Sequence, residues 1–209
     1  MAAPRRFLAL GDSYTVGEGT TPAGRWPERL AARLRAAGTD IGDPEIIART
    51  GWTTDELEAA IDAAAPRGPF ALATLLIGVN NQYRGRGLDE YRAQFAALLD
   101  RAIALAGGAP GRVLVPSIPD WGVSPFARQD PRGAARIAAE IDAFNAAAAA
   151  ACAACGVAFV DITATTRARG AEPAMLADDG LHPSAAMHAL WVEALLPPAR
   201  RLLAGPRPA

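Results

Sequence analysis

The chain has 209 residues, 51% of them hydrophobic, a length and composition that suit one larger α/β domain over residues 1–209 with a sizeable core. A formal net charge of −1 and a pI of about 6.1 leave no bulk field to attract nucleic acid or an anionic membrane. Every basic residue is Arg, which excludes Schiff-base and other lysine-dependent chemistry.

The N-terminal MAAPRRFLALGDS carries two arginines, but its apolar run ends at Gly11, too early for a secretory h-region. Residues 6–10 (RFLAL) read as a short buried parallel strand. Pro27 opens a helix with Leu30, Leu34 and Ala37 on one face. Residues 45–48 (EIIA) read as a second strand. Thr53 and Glu56 form a capping box ahead of Leu57, Ala60, Ile61 and Ala64 at helical spacing. Residues 70–77 (FALATLLI) are a third strand, followed by a long helix striped by Tyr91, Phe95, Leu98, Leu99 and Ala102. Residues 112–118 (RVLVPSI) are a fourth strand, and Ile137, Ile141, Phe144 and Ala148 mark another helix. Residues 157–160 (VAFV) are a fifth strand, and Met187, Leu190, Trp191 and Ala194 mark the last helix. Two long loops, 119–131 and 163–181, separate these elements, and the tail 205–209 is expected to fray. This alternation predicts a doubly wound parallel sheet with helices on both faces, and function at the carboxyl ends of its strands.

Cys152 and Cys155 form a CAAC, but at the end of an alanine-rich helical run they read as small packing residues rather than a redox pair. The longest apolar stretch, 146–160, is shorter than the ~18 residues of a membrane span, so no span and a cytoplasmic location are expected.

Serine catalysis needs a hydroxyl, an imidazole to take its proton and a carboxylate to orient the imidazole. The chain offers four serines and two histidines. His188 falls inside the last helical stripe and reads as packing. His182 stands in DDGLHPS, at a loop-to-helix junction, with Asp179 three residues before it and Asp178 as the competing carboxylate. Ser117 lies in a strand signal, Ser184 at a helix start where capping explains it, and Ser124 in a loop. Ser13 directly follows the first strand, after Gly11 and Asp12. On that segment alone it reads equally well as a cap or as a nucleophile beside backbone N–H groups. Gly51, after the second strand, permits close backbone approach, and Asn80, after the third, offers a neutral amide donor. Donors at the ends of three successive strands point to stabilisation of an oxyanion beside Ser13.

In order along the chain, GDSY (11–14), RTGW (49–52), GVNN (78–81) and DGLHP (179–183) resemble the four blocks of the SGNH, or GDSL-type, hydrolase family. The resemblance implies a three-layer α/β/α fold with a five-stranded parallel sheet in flavodoxin-like order. It implies Ser13 as nucleophile toward an ester, His182 as general base and then acid, and Asp179 as its orienter. Gly51 and Asn80, with the Ser13 N–H, become the oxyanion hole. Two departures stand out: Tyr14 replaces the usual Leu of GDSL, and Asn81 replaces a frequent Asp. No cofactor is implied, and the two histidines give no zinc signature.

Candidate substrate contacts are Trp52, Asn81, Tyr83, Arg84, Trp121 and Phe126, with Gln82 beside them. Trp121 and Phe126 either wall an acyl or alcohol pocket or pack their own loop, and Arg84 either meets a polar leaving group or is solvated. Without a lid rich in large apolar residues, a small-to-medium ester is expected over a long-chain lipid. A carbohydrate O-acetylesterase, an acyl-thioesterase and a non-catalytic ligand-binding module are the alternatives. Assembly state has no signal in the sequence.

Overall fold

The computed structural model describes residues 3–205, so most of the tail 205–209 lies outside the described residues. Residues 7–10, wholly buried, run through β1 (Arg5–Gly11). A single turn, α1 (Ser13–Val16), follows at once, and then α2 (Trp26–Ala36), β2 (Ile41–Ala48) and α3 (Thr54–Ala64). The chain continues with β3 (Leu72–Leu76), the short α4 (Val79–Tyr83), α5 (Leu88–Leu105) and β4 (Val113–Pro116). It ends with α6 (Gly133–Cys155), β5 (Ala158–Val160), α7 (Thr163–Arg169) and α8 (Ala185–Leu203).

All five strands are parallel in the order β2-β1-β3-β4-β5, the predicted flavodoxin-like arrangement. One face carries α2, α7 and α8, and the other carries α3, α5 and α6, each group held by contacts among its own helices. The α5 stripe is fully buried as its spacing predicts, and so are Ile137, Ile141, Phe144 and Ala148 of α6. The Thr53–Glu56 capping box forms, with the Thr53 N–H donating to Glu56 Oε2 at 2.8 Å. Cys152 is buried and Cys155 half-buried, both as free thiols at the end of α6; burial pushes the Cys152 thiol up to about 12, far from a reactive thiolate.

Several expectations needed correction. Strand β2 begins four residues early, at Ile41. Gly42 and Pro44 read as breakers, but β2 is an edge strand, where a proline is tolerated, and the register shift between Arg5 and Phe7 absorbs the irregularity. The 163–181 segment contains α7, whose sequence TATTRAR has no apolar stripe to announce it. Ala37 and Ala64 sit at or beyond helix ends and are exposed. Helix α6 is long and apolar enough to cross a membrane by length and composition, which residues 146–160 alone did not indicate. In this fold its apolar stripe packs on α5 and β5.

Candidate active site

At the carboxyl end of β1 the backbone leaves no choice of residue. A Cβ on Gly11 would stand 2.3 Å from Thr15 Oγ1 and 2.4 Å from the Leu76 carbonyl oxygen. Only glycine lets α1 fold back this tightly over the strand end. Asp12 caps the turn: its Oδ1 accepts from the Tyr14 N–H at 3.0 Å, and its backbone carbonyl accepts from Thr15 and Val16. Ser13 is thereby held in the first turn, where a backbone N–H has no partner within the helix. Burial pushes the Asp12 carboxyl up to about 7 despite the Tyr14 bond. Asp12 is thus a turn-forming residue.

The other serines are committed elsewhere. Ser117 Oγ accepts from the N–H groups of Ile162 and Thr163, Ser124 Oγ donates to the Trp121 carbonyl, and Ser184 caps α8. The Ser13 hydroxyl alone has no hydrogen bond to any described residue.

The loop before α8 is tied down like a strand. Leu176 and Pro183 form an isolated antiparallel bridge, and the Ala177 N–H donates to the His182 carbonyl at 2.8 Å. Within it, Asp179 Oδ1 accepts from the N–H groups of Leu181 and His182, each at 2.9 Å. Asp179 Oδ2 lies 2.5 Å from His182 Nδ1. The same carboxylate therefore fixes the turn and the ring, and it leaves Nε2 free. Burial works against the Asp179 charge, but the His182 ring and the two amides outweigh it and hold the carboxyl below its usual range. The competing Asp178 is exposed and makes no such contact. His188 is wholly buried and packs edge-on to Trp191 at 5.0 Å, a packing residue as expected.

Between the loops after β2 and β3 a set of side-chain bonds replaces what sequence reading took for substrate contacts. Asn80 Nδ2 donates to the Trp52 carbonyl at 2.9 Å, which uses one of its two N–H groups. Trp52 contributes that carbonyl, and its ring packs on the core rather than lining the cavity beside Ser13. Asn81 is buried: its Oδ1 accepts from the Thr54 N–H at 3.1 Å and its Nδ2 donates to Thr54 Oγ1 at 2.7 Å. Arg84 is exposed, and its Nη2 donates to the Gly51 carbonyl at 2.6 Å. Gln82 is spent on Trp121 Nε1 and Glu140. None of Trp52, Asn81, Gln82 and Arg84 lines the cavity beside Ser13. Gly51 has φ +89°, the left-handed region that glycine takes without strain.

Ser13, Gly51, Asn80 and His182 line one cavity of about 200 Å³ at the carboxyl end of the sheet. Residues 9–190 match the GDSL-like lipase/acylhydrolase family. The chain belongs to this family. It is a carboxylic-ester hydrolase. A search of curated proteins found no match. Among solved structures, TesA is similar at 23% identity over 95% of this chain and 100% of that one, with a TM-score of 0.74. The psychrotrophic esterase EstA from Pseudoalteromonas sp. is similar at 16% identity over 96% and 100%, with a TM-score of 0.69. The acetylxylan esterase Axe2 from Geobacillus stearothermophilus is similar at 21% identity over 95% and 96%, with a TM-score of 0.68. At these identities the likeness is one of fold.

The rest of the cavity gives this GDSL-like hydrolase its own character. Tyr83, Trp121 and Phe126 all line it. Tyr83 and Trp121 meet edge-on at 5.4 Å, and Trp121 and Phe126 at 6.2 Å. The Arg132 guanidinium lies over Tyr83 and Trp121, at 5.6 and 5.3 Å, while bound to Asp130. Wall residues that sequence reading missed are Tyr14, Val79, Leu181 and Thr50. Tyr14 carried a signal, as the residue where GDSY departs from GDSL. Its buried ring stands edge-on to both His182, at 6.2 Å, and Trp191, at 5.9 Å, so it backs the imidazole against the core.

Proposed function

We propose that the enzyme hydrolyses small-to-medium carboxylic esters through an acyl-enzyme on Ser13. The Ser13 oxygen attacks the ester carbonyl carbon while His182 Nε2 takes the hydroxyl proton, with Asp179 holding Nδ1. The oxyanion that forms is met by the N–H groups of Ser13 and Gly51 and by the Asn80 N–H not used on Trp52. Collapse breaks the bond to the alkoxide, which receives the proton from His182. Water, activated by the same imidazole, then releases the acid and frees Ser13.

One observation supports this reading above the others: the one serine hydroxyl left uncommitted among the described residues shares a cavity with a histidine whose other nitrogen is held by a carboxylate. The size of that cavity, about 200 Å³, is below the roughly 300 Å³ at which drug-sized ligands are housed, and its wall is mainly aromatic and aliphatic. Both features favour a short apolar acyl or aryl group over a long chain. The test is turnover of p-nitrophenyl esters from acetate upward by the wild type and Ser13→Ala. The expected result is a rate that falls steeply with acyl length and is abolished by the substitution. Equal activity in both proteins would remove Ser13 from the reaction, and a preference for long acyl chains would remove the size argument.

A further inference from the structure

The loop that carries Gly51 is held from outside. Its backbone has a positive φ, and a Cβ there would stand 3.7 Å from the Arg84 guanidinium, with no other described residue beyond its chain neighbours within 4 Å. A bond from the Trp52 N–H to the Arg49 carbonyl at 3.2 Å closes the turn around Gly51, and the Thr50 hydroxyl donates to Glu18. Arg84 adds a tie from the carboxyl end of α4: its own N–H donates to the Asn80 carbonyl at 3.0 Å, its Nη2 to the Gly51 carbonyl at 2.6 Å, and its Nη1 to Glu56 Oε1 at 3.4 Å. Glu56 is in turn the capping residue that takes the Thr53 N–H. Four residues upstream, Asn80 holds the next carbonyl of the same loop, that of Trp52. Arg84 does not line the cavity.

We propose that Arg84 is a positioning residue for the oxyanion hole: by holding the Gly51 carbonyl it limits rotation about the two Gly51 backbone bonds that separate this carbonyl from the Gly51 N–H, so that the N–H and the Asn80 amide converge on one point. The inference rests on reading Gly51 and Asn80 as the oxyanion donors. The two donors come from different loops, and no backbone hydrogen bond ties Gly51 to α4. The Arg84–Gly51 bond supplies that tie, and Glu56 keeps the guanidinium from swinging away. A donor allowed to wander weakens its bond to the oxyanion while leaving ground-state binding of the substrate almost untouched.

The experiment compares wild type, Arg84→Ala, Arg84→Lys and Ser13→Ala on acetate esters of several alcohols. Arg84→Ala is expected to lose roughly 10- to 100-fold in kcat, within what a misplacement of about 1 Å can cost, with KM changed less than about twofold. The loss should be the same for every alcohol, because the oxyanion is common to all of them. Lysine, which reaches one carbonyl but cannot bridge to Glu56, should recover part of it. Guanidinium ion at sub-denaturing concentration should raise the rate of Arg84→Ala and not that of wild type. A rise in KM, or a loss that varies with the alcohol, would instead make Arg84 a substrate contact and overturn the proposal. A loss matched by a fall in thermal midpoint, with no rescue by guanidinium, would reduce Arg84 to a stabilising residue and overturn it too. If Ser13→Ala is inactive and Arg84→Ala is unimpaired, the positioning role alone fails. If Ser13→Ala is fully active, the underlying reading of the site fails with it.

Discussion

Asp179→Asn tests the imidazole geometry with the least disturbance of the fold. In the native loop Asp179 Oδ1 accepts two backbone N–H groups at 2.9 Å and Oδ2 faces His182 Nδ1 at 2.5 Å. Asparagine keeps an oxygen for the two amides and so keeps the turn. Its NH₂ then faces Nδ1, and two N–H donors cannot point at each other. The ring must carry its proton on Nε2 instead, where it can no longer accept one from Ser13. A wrong tautomer enforced by a buried neighbour can cost about 10⁴ in kcat, or roughly 5 kcal/mol. The Asp179 side chain is 43% exposed, so water competes for the same ring nitrogen and softens the preference. The expectation is therefore a loss of about 10²–10³, or 3–4 kcal/mol, with the thermal midpoint shifted by no more than about 2 °C. Initial rates on a short p-nitrophenyl ester and a melting curve decide it, with Asp178→Asn as a silent control. Activity within about threefold of wild type in a folded Asp179→Asn would refute the tautomer argument. Loss in Asp178→Asn instead would move the orienting role to Asp178.

Three further outcomes follow from groups around the site. Burial, with Arg29 and His182 nearby, pulls His188 from 6.5 down to about 3, so the unfolded chain binds a proton that the native state refuses. This stability is full above pH 6.5 and is lost as the pH falls toward 3, on the order of a few kcal/mol; the thermal midpoint of His188→Leu should fall less than wild type's between pH 7 and 4, and parallel curves would contradict this. Asp12 has the opposite sign: its native value of about 7 lies above the 3.8 of an unfolded carboxyl, so its contribution is full below pH 3.8 and is lost as the pH rises through 7. Asp12→Asn, which keeps an oxygen for the Tyr14 amide, should be more stable than wild type at pH 8 by a few kcal/mol and equal to it near pH 4, as measured by urea unfolding; no gain at pH 8 would refute it. Asn81→Asp should lose about 2–3 kcal/mol at pH 8 and regain part of it in acid, as the protonated carboxyl recovers a donor; wild-type stability at pH 8 would show that Thr54 can reverse its hydrogen bond.

The Asn81 prediction shows where sequence reading stops. The family pattern often places Asp there, and the departure could be noticed but not explained. Its cause is a chain of hydrogen-bond directions. Gln94 Nε2 donates to Glu90, which turns Gln94 Oε1 toward Thr54, and the Thr54 hydroxyl gives its proton to that oxygen. Thr54 Oγ1 can then only accept from residue 81, and a carboxylate has nothing to donate. None of these partners is close in sequence to residue 81. By contrast, Asp179 and His182 lie within one turn of chain, and so their pairing was legible. The buried stripes of α5 and α6 were legible because a helix repeats its own geometry. Helices α1 and α4, of four and five residues, were not, since neither is long enough to show a period. The bond of Arg84 was out of reach for the same reason as those of Asn81: its partner, the Gly51 carbonyl, belongs to another loop.

The strand order accounts for both the success and the failure. Because β1 lies between β2 and β3, the loops that leave these three strands open at neighbouring points on one edge of the sheet. That much places Ser13, Gly51 and Asn80 near one another, and it can be foreseen from the strand order that the family resemblance implies. What holds each of these loops in place is a separate matter. Gly11 fixes the first loop by steric exclusion, since the Leu76 carbonyl leaves no room for a Cβ. The second loop closes its own turn through the Trp52 N–H and the Arg49 carbonyl, and is joined to the third by Asn80, Asn81 and Arg84. Substitutions at Gly11 should therefore act through folding, whereas substitutions at Arg84 should act through kcat in a folded protein. The two loops flanking Ser13 differ in what holds them, and the enzyme's tolerance to change should differ in the same way.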